Sequence, residues 1–190
     1  MTPSTVIPAM FTRAVDELRS VTPRAEIEIQ EIPAPQRLAP FAYSLTGSVI
    51  RLEDEVANGR LILLHDPAGH ESWDGTMRLV TYVTAELEPE LAADPMLPAV
   101  GWSWLIDALD GQAVVYGAIG GTVTQPLSTR FGELAGAPTA ADIEIRASWT
   151  PQDEDLAAHL EAWCGLLAST AGLPPPGVTA LPLPERRAGV

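Results

Sequence analysis

The chain contains no lysine; all eleven of its basic residues are arginine. That absence excludes Schiff-base catalysis and a Walker-type phosphate lysine. Asparagine occurs once, at Asn58. Lysine and asparagine codons are both AT-rich, so the two shortages together point to a GC-rich coding sequence and not to a functional choice. Cysteine also occurs once, at Cys164, which rules out an internal disulfide. Positive charge is scarce against twenty-five acidic residues, and the formal net charge is −14. A nucleic-acid binder needs clustered Lys and Arg to neutralise phosphates, and an anionic membrane surface would repel this chain. No apolar run approaches the ~18 residues that span a bilayer. The start, Met1-Thr2-Pro3-Ser4-Thr5-Val6, lacks the basic opening and apolar stretch of a secretory signal. We therefore expect a cytoplasmic protein with no nucleic-acid or membrane partner. With neither a Walker nor a dinucleotide pattern present, no cofactor is expected.

At 190 residues the chain suits one domain, which at this size buries roughly 70% of the surface its unfolded form exposes. A short motif occurs twice. Ala25-Glu26-Ile27-Glu28-Ile29-Gln30 is echoed by Ala141-Asp142-Ile143-Glu144-Ile145-Arg146. Alternation of Ile with charge marks a strand with one buried and one wet face. Prolines follow each copy, at Pro33, Pro35 and Pro151, and each then runs into helical spacing. The reading along the chain is a helix over 6–20 with Phe11, Ala14, Val15 and Leu18 on one stripe, then the strand Ala25–Glu31. A helix follows over Ala39–Arg51, weakened by Gly47. Asn58-Gly59 reads as a turn. Arg60–His65 and the alternating stretch from Met77 to Glu88 form a hairpin around the loop Asp66–Gly75. A helix over Gly101–Leu109 carries Trp102, Leu105, Ile106 and Leu109 on one face and Trp104 and Ala108 on another. Ala113–Ile119 and Thr122–Thr124 are strands broken by Gly120-Gly121, Phe131–Ala140 is a loop with Pro138, and Ala141–Trp149 is the second echo strand. The last helix is expected to start at a Thr150 cap with Pro151 in its first turn. It carries the stripe Leu156, Leu160, Trp163, Leu167 and ends near Gly172. Residues 1–172 thus read as one α+β domain, an antiparallel sheet of about five or six strands against three or four helices. Residues 173–190 form a proline-rich extended or disordered tail.

Candidate chemistry is thin. The segment from His65 to Gly75 holds two of the three histidines and three carboxylates besides. His65, Asp66, His70 and Glu71 could act as an acid–base set or hold a divalent metal, although the spacing matches no metal signature and is not HExxH. The competing reading is a hairpin loop in which Asp66 and Asp74 bond local backbone N–H groups. Gly120-Gly121-Thr122-Val123-Thr124 followed by Arg130 could cradle an anion; against this, the glycines serve equally to allow a bulge. Trp102 and Trp104 cannot both face one core on a regular helix, so that helix is either central in the fold or part of an interface. Cys164 reads as a buried structural thiol.

Four stretches carry a resemblance: Leu61-Ile62-Leu63-Leu64-His65-Asp66-Pro67-Ala68-Gly69, Val100-Gly101-Trp102-Ser103-Trp104-Leu105, Gly121-Thr122-Val123-Thr124, and Glu144-Ile145-Arg146-Ala147-Ser148-Trp149-Thr150-Pro151. In this order they resemble an uncharacterised actinobacterial family, the domain of unknown function numbered three thousand, over most of the chain. The resemblance implies no activity and no catalytic residues. The element order also resembles secretion-chaperone-like folds with an extra helix after the first strand. The leading expectation is a non-enzymatic module that binds a protein partner or itself, with Trp102, Trp104 and Arg130 as candidate binding residues. The alternative is a metal-dependent or acid–base enzyme using the His65–Asp74 loop. A ligand carrier with an apolar cavity between sheet and last helix is a third option, resting on architecture alone.

Overall fold

The structure, a computed structural model, describes residues 6–135 and 140–178. Helix α1 (Ala9–Ser20) precedes four consecutive strands, β1 (Ile27–Ile32), β2 (Phe41–Arg51), β3 (Asp54–His70) and β4 (Gly75–Glu86). A four-residue helix α2 (Pro89–Ala92) and the long α3 (Leu97–Gly111) follow. Strands β5 (Tyr116–Thr124), β6 (Leu127–Ser128) and β7 (Ala140–Pro151) lead into α4 (Leu156–Thr170). The strands form an antiparallel sheet in the order β1-β2-β3-β4-β7-β5, with the two-residue β6 also on β7. The expected α+β single domain is what the chain forms.

One face of the sheet is apolar and covered. Leu45, Leu61, Leu79, Val83, Ile143 and Trp149 alternate inward from four adjacent strands and meet Leu18 of α1, Leu105 of α3 and Leu160 and Leu167 of α4. The second echo strand behaves as its alternation requires, with Ile143, Ile145, Ala147 and Trp149 all buried. The stripe of α1 is buried as expected, and so is that of α4. Helix α4 ends in a Schellman arrangement: Gly172, at φ 67°, donates to the Ser169 carbonyl and Leu173 to that of Ala168.

Three expectations are corrected. Ala39–Arg51 is not a helix; it is mostly β2, so the first echo strand runs into a second strand. Leu45 and Val49 fit a period of two as well as 3.6, and Tyr43, Leu45 and Val49 use the former to reach the core. Asn58-Gly59 is not a turn. The β2–β3 hairpin turns at Leu52 and Glu53, both at positive φ (51° and 70°), and Gly59 lies mid-strand opposite Gly47. Those two glycines form a trough under α4: a Cβ on Gly47 would fall 2.7 Å from the Trp163 ring and one on Gly59 would fall 3.1 Å from Leu167. Thr150 and Pro151 do not open α4; they end β7. Thr150 is already engaged, donating to the Trp73 carbonyl and accepting from Arg78 at 3.0 Å. The cap is Asp155, whose carboxylate accepts from the Ala158 N–H at 3.0 Å.

Smaller shifts follow from the same packing. The Asp66–Gly75 loop is shorter than expected, because β3 continues to His70 before a turn at Glu71–Trp73. The two stretches around Gly120-Gly121 are one strand, β5, with Ala118 and Ile119 bulged opposite Trp149. Residues 136–139, with Pro138, and 179–190 of the tail lie outside the described residues.

Candidate functional site

The His65–Asp74 segment does not gather its side chains at one point. His65 faces inward from β3, 3% exposed, stacked on Phe11 at 5.9 Å and beside Phe41 at 6.0 Å. Its Nδ1 lies 2.9 Å from the Thr76 carbonyl oxygen, which fixes that nitrogen as the protonated one. His70 is exposed, stacks on Trp73 and shares a 2.8 Å hydrogen bond with the Ser72 hydroxyl. Asp66 accepts from the Ala68 N–H at 2.9 Å, a local turn bond, and Glu71 is exposed in the short turn. Among the described residues no group of three His, Cys, Asp or Glu side chains is placed to hold a metal ion. Arg130 is exposed beyond β6, whereas Gly120 and Gly121 lie inside β5, paired with Ser148 and Ala147.

Helix α3 presents a different arrangement. Its buried stripe is Leu97, Gly101, Leu105 and Leu109, one residue in four. Trp102 and Trp104 flank that stripe on opposite shoulders, each half-buried against the core. Trp102 reaches β5: a Cβ on Gly121 would stand 2.9 Å from its ring. Beyond them the helix exposes Asp107 and Asp110 together with apolar side chains. Met96 and Val100, one turn apart, are exposed, and so is Leu91 just before the helix.

The neighbouring sheet edge is bare of charge. Strand β5 is the end of the sheet order, and from Tyr116 to Ser128 there is no charged residue. Val115, Leu127 and Phe131 are exposed around it. The opposite edge, β1, carries Glu28 and Glu31, the latter bonded to Arg19 at 2.9 Å. Edge strands of soluble proteins are normally guarded by charge, proline or a bulge. Here β1 is guarded by charge, while β5–β6 relies on the Ala118–Ile119 bulge and Pro126 alone. This edge was missed in reading the sequence, yet the uncharged run itself was visible there; its position at the rim was not.

A buried polar set joins β7 to α4. Trp149 Nε1 donates to His159 Nδ1 at 3.1 Å, both side chains fully buried. His159 Nε2 comes within 3.2 Å of Asp153 Oδ1, at an angle too bent for a hydrogen bond. Asp153 in turn accepts from the backbone N–H groups of Val115 and Asp155, so this carboxylate ties the start of β5 to the start of α4. Burial holds the His159 imidazolium below its ordinary range, against the opposing pull of Asp153 and Asp155.

Cys164 is buried on α4, 8% exposed, and burial pushes its thiol up to about 12. A thiol-labelling assay at pH 8 should therefore find the folded protein unreactive and titrate one thiol after denaturant is added; fast labelling of the native protein would contradict this placement.

Comparison with known proteins gives one result. A family model described as "Protein of unknown function (DUF3000)" matches residues 7–179. No curated protein and no solved structure gives a significant match.

Proposed function

Because the chain belongs to this family, whose description assigns no activity, we propose a function from the surface it builds: a non-enzymatic protein-binding module that self-associates through α3 and the β5–β6 edge. One observation carries the proposal. Helix α3, which exposes Met96 and Val100, packs Trp102 against β5, the sheet edge that has no charged residue from Tyr116 to Ser128. Unpaired edge N–H and C=O groups supply directional bonding, and the flanking apolar side chains supply burial. An antiparallel edge-to-edge pairing is also compatible with two-fold symmetry, the commonest arrangement of homo-oligomers.

The net charge of −14 on each copy opposes association at low salt. Sedimentation equilibrium of the full chain should show a concentration-dependent dimer that strengthens as salt screens this repulsion. A Val100→Glu/Thr124→Lys variant places charge on α3 and on the edge at two exposed positions. It should be monomeric with an unchanged melting temperature. A wild type that stays monomeric at every concentration and salt would overturn the proposal.

A further inference from the structure

One part of the helix-free face of the sheet runs against the charge of the whole chain, while the row beside it holds Glu144 between Thr84 and Thr124. Across β2, β3, β4, β7 and β5 one cross-strand row reads Thr46, Arg60, Tyr82, Arg146, Thr122. The next row reads Ser44, Ile62, Val80, Ser148, Gly120. In the third, Ala42 and Leu64 lead to Arg78. Three rows thus carry three arginines and no carboxylate, in a chain with twenty-five acidic residues.

The first two rows line a shallow groove of about 390 Å³, with Ile62 and Val80 in its floor and Arg60 and Arg146 beside Tyr82; Arg78 lies outside its lining. Arg146 sits 5.2 Å over the Tyr82 ring and is paired with half-buried Glu144 of its own strand, at 3.1 Å. Arg60 is exposed and makes no ion pair among the described residues. Arg78 is 9% exposed and donates to the hydroxyls of Ser148 at 2.8 Å and Thr150 at 3.0 Å. No carboxylate among the described residues is within ion-pairing distance of it. A guanidinium held away from water and without a counter-ion projects its charge further than an exposed one. At the β5 end the floor is open: a Cβ on Gly120 would meet nothing within 4 Å.

We propose that this groove binds an acidic peptide segment of a partner protein, with carboxylates at Arg60 and Arg146 and apolar side chains on Ile62 and Val80. Charge complementarity selects the occupant. A nucleic acid carries a phosphate at every residue and needs more clustered cations than two exposed guanidiniums supply. A small molecule would stay largely wet in so open a groove. A segment laid across the rows covers the apolar floor and meets both arginines at once.

The test uses the full chain and a random-peptide phage library. Selected peptides should interleave Asp or Glu with Leu, Ile or Phe, and their binding should weaken with salt. A labelled selected peptide should lose at least tenfold in affinity, about 1.4 kcal/mol, against an Arg60→Glu/Arg146→Glu variant. Gly120→Phe should produce a similar loss by filling the groove, and neither variant should change the melting temperature. Amide shifts on binding should centre on Val80, Tyr82 and Ser148. Selection of peptides without an acidic pattern, or no selection at all, would overturn the proposal. Binding to both variants equal to wild type would do the same. Citrate alone giving the same shifts at the same affinity would make this a small-carboxylate site, and the same shifts on concentrating the free protein would make the occupant a second copy; either result rejects the peptide assignment.

Discussion

Replacing Gly47 with alanine is expected to lower the unfolding free energy by about 2 kcal/mol, and to cost little or nothing once Trp163 is also alanine. Gly47 lies in β2 directly opposite Gly59 in β3, on the helix-facing side of the sheet. The pair leaves a trough with no side chains, and α4 lowers Trp163 and Leu167 into it. A Cβ on Gly47 would meet the Trp163 ring at 2.7 Å and a Leu167 methyl at 2.8 Å, both closer than real contacts allow. The indole cannot retreat. It is fully buried, and its Nε1 donates to Thr81 Oγ1 at 2.7 Å, while that hydroxyl donates to the Arg60 carbonyl at 2.9 Å. Truncating Trp163 alone should cost about 4 kcal/mol through lost burial and the cavity left behind. With the indole gone, the Leu167 methyl can swing into the cavity and leave room for a methyl group at position 47, and alanine also restricts the unfolded chain more than glycine does. The two changes should therefore couple by about 2 kcal/mol. Gly59→Ala is the contrasting case: its Cβ would meet the Tyr82 carbonyl oxygen at 2.9 Å. That clash is with backbone, so it should persist when Trp163 is truncated. Urea unfolding of the single and double variants reads all of these values; a Gly47→Ala penalty of equal size in both backgrounds would refute the trough.

His159 should make the fold sensitive to mild acid, and its removal should cost about 3 kcal/mol at neutral pH. Trp149 Nε1 is a donor only, so His159 Nδ1 must be unprotonated to accept from it. The one ring proton then resides on Nε2, facing Asp153. A second proton could be added only at Nδ1, by breaking the Trp149 bond inside the core. Burial works in the same direction and lowers the native affinity for that proton. Above the unfolded value of about 6.5 the ring is neutral in both states and contributes no pH dependence. Below it the unfolded chain takes up a proton that the native ring refuses, so stability falls with falling pH, by up to about 1.4 kcal/mol per unit from this residue. His159→Ala removes Trp149's acceptor and leaves a cavity at a fully buried position, hence the ~3 kcal/mol. His159→Gln offers an amide oxygen to Trp149 and cannot titrate. It should lose about 1–2 kcal/mol at pH 7 but show a flatter decline between pH 6.5 and 5. Denaturation midpoints across that interval decide the matter, and parallel declines for wild type and the Gln variant would show that His159 is not the titrating group.

The candidate sites were legible to different degrees. The shortage of positive charge and the two-sided apolar character of α3 were plain in the residues. The grouping of Arg60, Arg78 and Arg146 was not, because they belong to three strands and become neighbours only through the register of β3, β4 and β7. The His65–Asp74 segment looked like a cluster because its residues are close in sequence. The β3–β4 register shifts between His65 and His70, and the first ring lies in the core while the second stays outside.

What the sequence by itself determined was every element whose pattern had a single solution. The stripe of α1, the alternation Ile143, Ile145, Ala147, Trp149 in β7 and the stripe of α4 each fit one period only, and the structure follows them. Residues 41–51 fit two periods, and glycine at 47 and 59 signals helix breaking or turning when read locally. Only the tertiary structure decided those positions, because the reason for a glycine there is the indole of Trp163, carried in by a helix near the other end of the chain. Local patterns record which face of an element is buried; they do not record how closely the next layer will approach it.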